Sequence, residues 1–301
     1  MLAFLSDAYS ACYGFVNALL IRLEYPAATC AAYLVFELLL PRSRNSPRSY
    51  VHGAYFVGAA VLINTLVLTL VQTTTGVRQD MPGMPGASQP ATLLSVDLAH
   101  FTNADSLGWR VFGWLVATLG IAILADFFYY WMHRAQHTVG WMWRFHKVHH
   151  SIKEMNATNS YHHVAEDLFQ YVAVTLPLTF LLGVSAGPVP WLLIVVFNTQ
   201  SYFIHSSANF NIGPLRYLLM DNRLHRIHHS REERHINHNF ATRTPIWDVL
   251  FGTAYFPRRD EWPAVGLADT EEPQTLRDYL LLPFRGERGP MPRPAGALNP
   301  P

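Results

Sequence analysis

The stretch that decides the fold runs from Asp126 to His150 and reads DFFYYWMHRAQHTVGWMWRFHKVHH. It joins the end of a long apolar segment to two histidine groups, and a third group follows further along the chain. The three groups are His133-Arg-Ala-Gln-His137, His146-Lys-Val-His149-His150 and His225-Arg-Ile-His228-His229. Imidazole is the commonest metal ligand among side chains, and i, i+3 and i+4 spacings place ligands on one helical face. Each group therefore predicts a helix that presents metal ligands.

The number of histidines exceeds what one metal ion needs. Thirteen of the 15 histidines lie between His133 and His238. A tetrahedral metal uses only four ligands, so the chain is expected to hold two metals, or one metal with many supporting imidazoles. A histidine-rich interfacial surface or a pH sensor is the alternative, and the repeated spacing argues against it.

The composition is that of a membrane protein. Half of the 301 residues are hydrophobic and only 14% are charged, whereas soluble domains average about 25% charged residues. The net charge of +1 gives no reason to expect a nucleic-acid partner. Cys12 and Cys30 form neither a metal-site spacing nor a disulfide framework, so metal ligands must be nitrogen or oxygen atoms. The N-terminus lacks a basic region, and a cleaved signal peptide is not expected.

Four apolar segments are candidates for membrane helices, because a spanning helix needs roughly 20 mostly apolar residues. They are residues 51–71, 109–132, 168–182 and 189–205. The apolar stretch Pro26–Leu40 is too short alone, and either starts nearer Arg22 or forms a re-entrant or interfacial segment with residues 11–23. The prediction is an all-α integral membrane protein with about four to five membrane-embedded helices.

The distribution of Lys and Arg sets the orientation. The positive-inside rule places residues 41–49, 133–167 and 206–301 in the cytoplasm. All three histidine groups then lie on one membrane face, in a cytoplasmic helical cap that carries the di-metal site. We expect an N-terminal apolar segment with a basic loop at 1–50, a catalytic membrane domain at 51–284 and a disordered Pro/Gly-rich tail at 285–301.

Residues outside the three groups are also candidates. Asp126 lies two helical turns before His133, and a carboxylate at the membrane end of a helix needs a partner. A hydrogen bond from a ligating imidazole would supply one; pairing with an arginine such as Arg134 is the alternative. His205 ends an apolar segment on the histidine side and is expected to ligate. One of His162 and His163 could join the ligands or simply line the site.

These motifs resemble the fatty acid hydroxylase / sterol desaturase superfamily. The resemblance rests on Asp126–His137, on Trp143–Ser151 and on His225–Arg231, followed by Asn239-Phe-Ala and by Ile246–Thr253, and it covers roughly residues 55–256. It implies an integral membrane enzyme with a non-haem di-iron centre that uses O2 and electrons to hydroxylate or desaturate lipids.

The resemblance also implies residue roles. The ligands would be His133, His137, His146, His149, His150, His205, His225, His228 and His229, with His163 as a further one. Asp126, Asn239 and Asp248 would support the ligands without binding metal. Two departures weaken any assignment to a subfamily: the usual Asn-Tyr-Gly is Asn239-Phe240-Ala241, and His162 replaces a common basic residue.

Three classes of function follow from the residues. The leading hypothesis is an O2-dependent enzyme with two iron ions that acts on a C–H bond of a membrane lipid, and hydroxylation and desaturation stay open. Its electrons would come from a separate reductase, ferredoxin or cytochrome, since the chain has no dinucleotide fingerprint and no Cys-rich iron–sulfur pattern. A membrane zinc hydrolase would need a His-Glu-x-x-His motif, which is missing from the histidine groups. A metal transporter or sensor would place its ligands along a path through the membrane.

Overall fold

The computed structural model of the chain describes residues 2–75, 94–96, 106–184 and 189–285. Within them the regular structure is helical apart from one pair of strands, so the predicted α class is confirmed in the main. The helices are α1 (Leu2–Leu39), α2 (Pro47–Thr75), α3 (Leu107–Thr138), α4 (Gly140–His150), α5 (Glu166–Gln170), α6 (Leu176–Leu181), α7 (Val189–His205), α8 (Asn222–His228), α9 (Ile246–Leu250) and α10 (Leu276–Leu281).

Shorter elements join these helices. A π-helical turn at Tyr171–Thr175 connects α5 to α6, and 3-10 turns occupy Gly213–Tyr217, Glu233–His235 and Leu282–Phe284. Strands β1 (Leu94–Val96) and β2 (Leu182–Val184) pair in parallel, with Leu94 opposite Leu182.

Two of the described helices are long and apolar enough to cross a membrane. They are Pro47–Val71 within α2 and the whole of α3, and they contain the predicted segments 51–71 and 109–132. Large apolar side chains stand exposed along both, among them Leu62 and Leu66 on α2 and Leu115 and Leu119 on α3. Exposed apolar faces on long helices are expected where the helices contact lipid.

The remaining predicted segments take different forms. The segment 189–205 coincides with α7, which has 17 residues. The segment 168–182 is divided among α5, the π-helical turn and α6. The stretch Pro26–Leu40 is the end of one continuous helix that begins at Leu2, which agrees with an earlier start and not with a re-entrant segment. The total of four to five membrane-embedded helices stays a prediction.

Two apolar cores join the long helices to the segments that carry the histidine groups and to the residues around them. One core joins Phe56 of α2 to Tyr161 and to Tyr279 of α10. The other joins Tyr130 of α3, Ile204 of α7, Leu224 of α8 and Phe240. Because each core combines a long helix with residues outside it, the segments around the histidine groups are packed directly against the long helices; the helical cap stays a prediction.

A buried carboxylate ties α1 to the same segments. Glu37 is only 3% exposed, and its Oε1 accepts hydrogen bonds from the Ala157 and Ser207 backbone N–H groups, both at 2.9 Å. Ser207 lies two residues beyond the end of α7. The predicted boundary at residue 50 stays a prediction, and this contact joins residues on both sides of it.

Candidate metal centre

Nine buried histidines from four helices form two adjacent clusters. The first cluster is His133, His137, His146, His150 and His228; the second is His149, His205, His225 and His229. Within each cluster, one ring nitrogen from every member lies within 4.8 Å of all the others. All nine belong to the ligand set expected from the sequence.

Helix geometry explains why each His-x-x-His-His triplet serves both clusters. Successive residues are rotated by about 100° around a helix, so i and i+4 point nearly the same way while i+3 diverges. In α4, His146 and His150 point to the first cluster and His149 to the second. In α8, His225 and His229 point to the second cluster and His228 to the first. One helix with this triplet therefore supplies histidines to both clusters.

Main-chain carbonyl groups fix the orientation of four of the rings. The Nδ1 atoms of His133, His149, His205 and His228 lie at 2.6, 3.0, 2.7 and 2.9 Å from the carbonyl oxygens of Phe240, Tyr161, Ser201 and His238 respectively. A carbonyl oxygen can only accept, so Nδ1 carries the proton in each ring. The lone pair is then on Nε2, which faces the cluster. This is the outer hydrogen bond that metal-binding imidazoles normally make.

The inward-facing nitrogens fit a cation. Nε2 of His205 lies 3.2 Å from that of His149 and 3.0 Å from that of His225. Lone pairs that face one another at this distance repel unless a positive charge lies among them. The Nε2 atoms of His137, His150 and His228 are buried without a hydrogen-bond partner among the described residues. Buried polar atoms without partners are costly, so the donor set fits metal ions.

Burial keeps these rings in the form that binds metal. It lowers the pKa of His149, His150, His225 and His229 well below the ordinary histidine value, and neighbouring imidazoles lower it further. Burial lowers the pKa of His228 to about 3. The rings are therefore neutral at physiological pH, as a metal ligand must be.

A carboxylate orients a fifth ring, that of His146. Glu166 of α5 accepts hydrogen bonds through Oε2 from His146 Nδ1 at 2.9 Å and from Gln136 Nε2 at 2.7 Å. Burial opposes ionisation of Glu166, but the adjacent His146 and His162 and these hydrogen bonds lower its pKa to about 2. Glu166 is thus an anion beside the first cluster, where it would offset the charge of a bound metal ion.

The structure separates His162 from His163. The His163 ring stacks on Tyr279, its Nδ1 accepts a hydrogen bond from Ala165 N–H at 3.1 Å, and it belongs to neither cluster. The prediction of His163 as a ligand is therefore not supported by its position. The His162 ring stacks on His149 at 3.7 Å and approaches His146 and Glu166 closely enough to share an ion with them. Two adjacent histidines in a loop give no periodicity, so the sequence could not choose between them.

Asp126 supports the centre differently from the expectation. Its carboxylate accepts hydrogen bonds from the backbone N–H groups of Thr242, Arg243 and Thr244 at 3.0–3.1 Å, and none from an imidazole among the described residues. Its ion-pair partner is Arg243 at 3.4 Å, whereas Arg134 donates to the Tyr130 hydroxyl. Asp126 therefore stabilises the loop at residues 242–244 and does not orient an imidazole ring directly.

Asn239 and Asp248 hold the same loop, which we call the 239–244 loop. Asp248 accepts from the Phe240 and Ala241 N–H groups at 2.8 and 3.0 Å. Asn239 donates to the Leu224 and Tyr255 carbonyl oxygens. The Phe240 carbonyl within the loop receives His133 Nδ1 at 2.6 Å. All three supporting residues expected from the sequence thus act on ligand orientation through main-chain groups.

A cavity of about 380 Å³ reaches the centre from the side of the long helices. Its lining includes ligands of both clusters, namely His133, His149, His205 and His225, together with His162. Tyr129, Met132, Phe197 and Ile204 supply apolar wall, and Asp167, Asn198 and Arg243 supply polar wall. The cavity can therefore bring a partly apolar molecule against both clusters at once.

Comparisons with known proteins agree with this site. Residues 118–253 match the fatty acid hydroxylase family model. Alkylglycerol monooxygenase from Homo sapiens is 32% identical over 171 residues, 56% of this chain and 36% of that protein. Ornithine lipid hydroxylase OlsE from Rhizobium tropici is 32% identical over 148 residues, 48% of this chain and 44% of that protein.

A relative with a different chemistry matches the same part of the chain. Very-long-chain aldehyde decarbonylase GL1-6 from Oryza sativa subsp. indica is 29% identical over 160 residues, 48% of this chain and 24% of that protein. The chain thus spans less than half the length of each of these curated relatives, and no solved structure matches it. The matched region contains α4, α7 and α8 and the end of α3, and so every histidine of both clusters; the metal centre therefore lies wholly within the part of the chain that is similar to the fatty acid hydroxylase family.

Proposed function

We propose that the chain is an O2-dependent oxygenase with two iron ions that hydroxylates or desaturates a C–H bond of a membrane lipid. The observation that carries the proposal is the pair of adjacent histidine clusters beside one cavity. A single structural zinc would use four ligands in a closed site. Here five and four histidines surround two positions, which leaves coordination positions open. Iron, when bound, supplies the oxidising power that no amino-acid side chain has.

We assign the ligands by cluster. His133, His137, His146, His150 and His228 hold one iron, and His149, His205, His225 and His229 hold the other. His162 stacks on His149 of the second set and lies close enough to His146 and Glu166 to share an ion with them, so it is a further candidate ligand. Five of the assigned rings are oriented from outside by a carbonyl or carboxylate oxygen. This preorganisation reduces the rearrangement that metal binding would otherwise require.

The protein contributes position and exclusion of water. The cavity wall of Tyr129, Met132, Phe197 and Ile204 contacts the apolar part of a substrate and keeps the reacting carbon away from bulk water. Glu166 keeps a negative charge next to the first cluster, which supports the positive charge of the metals. The names of the relatives describe enzymes that act on lipids. A lipid that enters between the long helices would reach this cavity from the membrane side.

The placement in the cell follows from the same helices. We propose a multi-pass membrane protein with the metal centre on the cytoplasmic face, as the distribution of Lys and Arg in the loops indicates. O2 is the co-substrate, and the electrons come from a separate reductase, ferredoxin or cytochrome.

Metal analysis of the full-length protein tests the proposal. The chain is expressed with ample iron and purified in nanodiscs; we expect two irons per chain and a Mössbauer spectrum of high-spin, nitrogen-rich iron. His228→Ala in the first cluster and His149→Ala in the second are each expected to lower the iron content and to abolish product formation in lipid profiles. His238→Ala is the matched control, because His238 contacts the centre only through its main-chain carbonyl. One tightly bound zinc in place of iron, or full activity of His149→Ala, would refute the proposal.

A further inference from the structure

Two cavities meet next to the metal centre. The larger one is the cavity already described. A second, of about 340 Å³, lies between α2, α7 and residues 160–167. His162, Asp167, Asn198 and Ser201 line both cavities. The two spaces therefore form one path from the faces of the long helices to the histidine clusters.

Polar side chains from three separate elements line this path. Asn64 of α2 and Asn198 of α7 line the second cavity together with Asp167 of α5. The Asn64 side-chain amide donates a hydrogen bond to Asp167 Oδ2. Their surroundings include Val57, Val61 and other apolar wall. Asp167 itself is exposed, and polar groups at membrane depth are by default functional.

The position of these groups fits the boundary between membrane and cap. Asn64 lies within the candidate span Pro47–Val71, and exposed Leu66 and Leu168 mark the apolar surface on either side. Asn198 precedes His205 by seven residues on α7, which is two helical turns or about 10 Å. A molecule that spans this distance can place a polar end at Asn198 and a carbon atom beside His205.

The charged side chains that line the path favour one chemical class for the polar end of a bound molecule. Asp167 is adjacent to Glu166, a second acidic residue, whose Oε2 accepts hydrogen bonds from His146 Nδ1 and Gln136 Nε2. The one cation on the wall of the larger cavity among the described residues is Arg243, whose guanidinium pairs with Asp126 and lies 4.0 Å from the centre of the Phe197 ring. An anionic end at Asp167 would meet two carboxylates, whereas a hydrogen-bond donor or an ammonium group would be stabilised there.

We propose that Asp167, with Asn64 and Asn198, binds the polar end of the substrate, and that the substrate is a lipid whose polar end donates hydrogen bonds or carries an ammonium group. This rests on the proposed function, since it takes the cavity as the substrate site. The reacting carbon then lies near that end and not at the far end of a long chain, because Asn198 lies only about 10 Å from His205 along α7. Free fatty acids, with an anionic carboxylate, are poor ligands by the same reasoning.

Binding of three probes with equal chains tests this inference. The iron-loaded full chain in detergent micelles is titrated with hexadecylamine, monopalmitoylglycerol and palmitate, and the rise in Tm with concentration gives each affinity. We expect the first two to bind at least about tenfold more tightly than palmitate, the difference that one charge-assisted hydrogen bond makes. Asp167→Asn should remove most of this preference.

Two further variants keep the test sharp. Asp269→Asn changes an exposed aspartate elsewhere and is expected to leave all affinities unchanged. Asn198→Ala should weaken binding of monopalmitoylglycerol about two- to tenfold, as for a neutral hydrogen bond, and it serves if Asp167→Asn folds poorly. Palmitate binding as tightly as the amine, or a preference unchanged in both cavity variants, would overturn the inference. Iron content is measured on every sample: normal iron with no preference refutes this inference alone, whereas missing iron in the wild type refutes the proposed function.

Discussion

Replacing Asp126 with asparagine removes one of the two carboxylate oxygens that accept hydrogen bonds from the backbone of residues 242–244. In the wild type, Oδ1 accepts from the Thr242 and Arg243 N–H groups and Oδ2 accepts from the Thr244 N–H group, all within 3.1 Å. An asparagine side chain keeps one oxygen and turns the other position into a donor. In either orientation of the amide, at least one buried backbone N–H faces another N–H.

The expected magnitude follows from these contacts. A buried donor that loses its acceptor costs about 1–3 kcal/mol. The Arg243 guanidinium loses its anionic partner as well, and breaking a buried pair costs about 3–5 kcal/mol when fully desolvated. Since Arg243 is partly exposed, we expect a total loss of about 2–4 kcal/mol in the free energy of unfolding.

The loss should be visible at the metal centre because the loop carries the acceptor of His133 Nδ1. The Phe240 carbonyl lies two residues before Thr242, and a shift of the loop releases the His133 ring. Loss of an outer hydrogen bond typically lowers metal affinity about 10- to 100-fold. We expect this range for the first cluster and a smaller change for the second.

Chelator competition measures this effect. Iron retained per chain is recorded against increasing chelator, with Tm measured on the same samples. Arg134→Gln is the matched control, because Arg134 contacts the Tyr130 hydroxyl and not Asp126. Arg243→Gln, alone and combined with Asp126→Asn, completes a double-mutant cycle that isolates the ion pair. Wild-type iron retention and Tm in Asp126→Asn would refute the reasoning that this carboxylate orients the ligands.

Three further predictions concern the ligand loop, the packing of α2 and the response to acid. His162→Ala should lower iron content or change the Mössbauer parameters, while His163→Ala should change neither, and the reverse result would restore His163 as the ligand. At Gly53, a Cβ would lie 2.4 Å from the Thr158 carbonyl oxygen, so Gly53→Ala should lower the free energy of unfolding by about 1–3 kcal/mol and lower Tm accordingly. Gly58 has open space around it, so Gly58→Ala should leave Tm unchanged. Equal Tm values for the two variants would contradict the close packing at Gly53. The clustered histidines of α4 and α8 have pKa values lowered in the folded state, so apoprotein stability is complete above pH 6.5 and falls below it. At pH 5.5 each of these histidines lowers the free energy of unfolding by up to about 1.4 kcal/mol relative to neutral pH. A Tm that stays constant from pH 7 to 5.5 would contradict their burial as neutral rings.

The sequence predicted the parts of this molecule that depend on helical periodicity. The i, i+3 and i+4 spacing of His146, His149 and His150 is sufficient to place them on one helix, and the predicted segment 189–205 coincides with α7. His205 could be assigned because it ends an apolar segment on the same side as the motifs. In each case the information is local, within one or two turns of helix.

The sequence could not predict contacts that loops make across the fold. Asp126 and Arg243 are 117 residues apart, and no local pattern links them, whereas Arg134 is close in sequence and was the natural partner to expect. The division of the histidines between two clusters depends on how α4 and α8 face each other. The choice of His162 over His163 depends on Tyr279, which stacks on His163 and holds it away from the clusters.

The departure from Asn-Tyr-Gly at residues 239–241 can be judged from the backbone. Asn239 has a φ of 58°, a left-handed conformation that asparagine tolerates better than other non-glycine residues. Ala241 does not share it, so the backbone here does not require a glycine at that position. The Phe240 ring packs against the His133, His137 and His228 rings at 5.3–5.9 Å, a role that needs no hydroxyl. What orients the His133 ring here is the Phe240 carbonyl, in a loop held by Asp248 and by the Asn239 side chain, and the substitutions leave both of these in place.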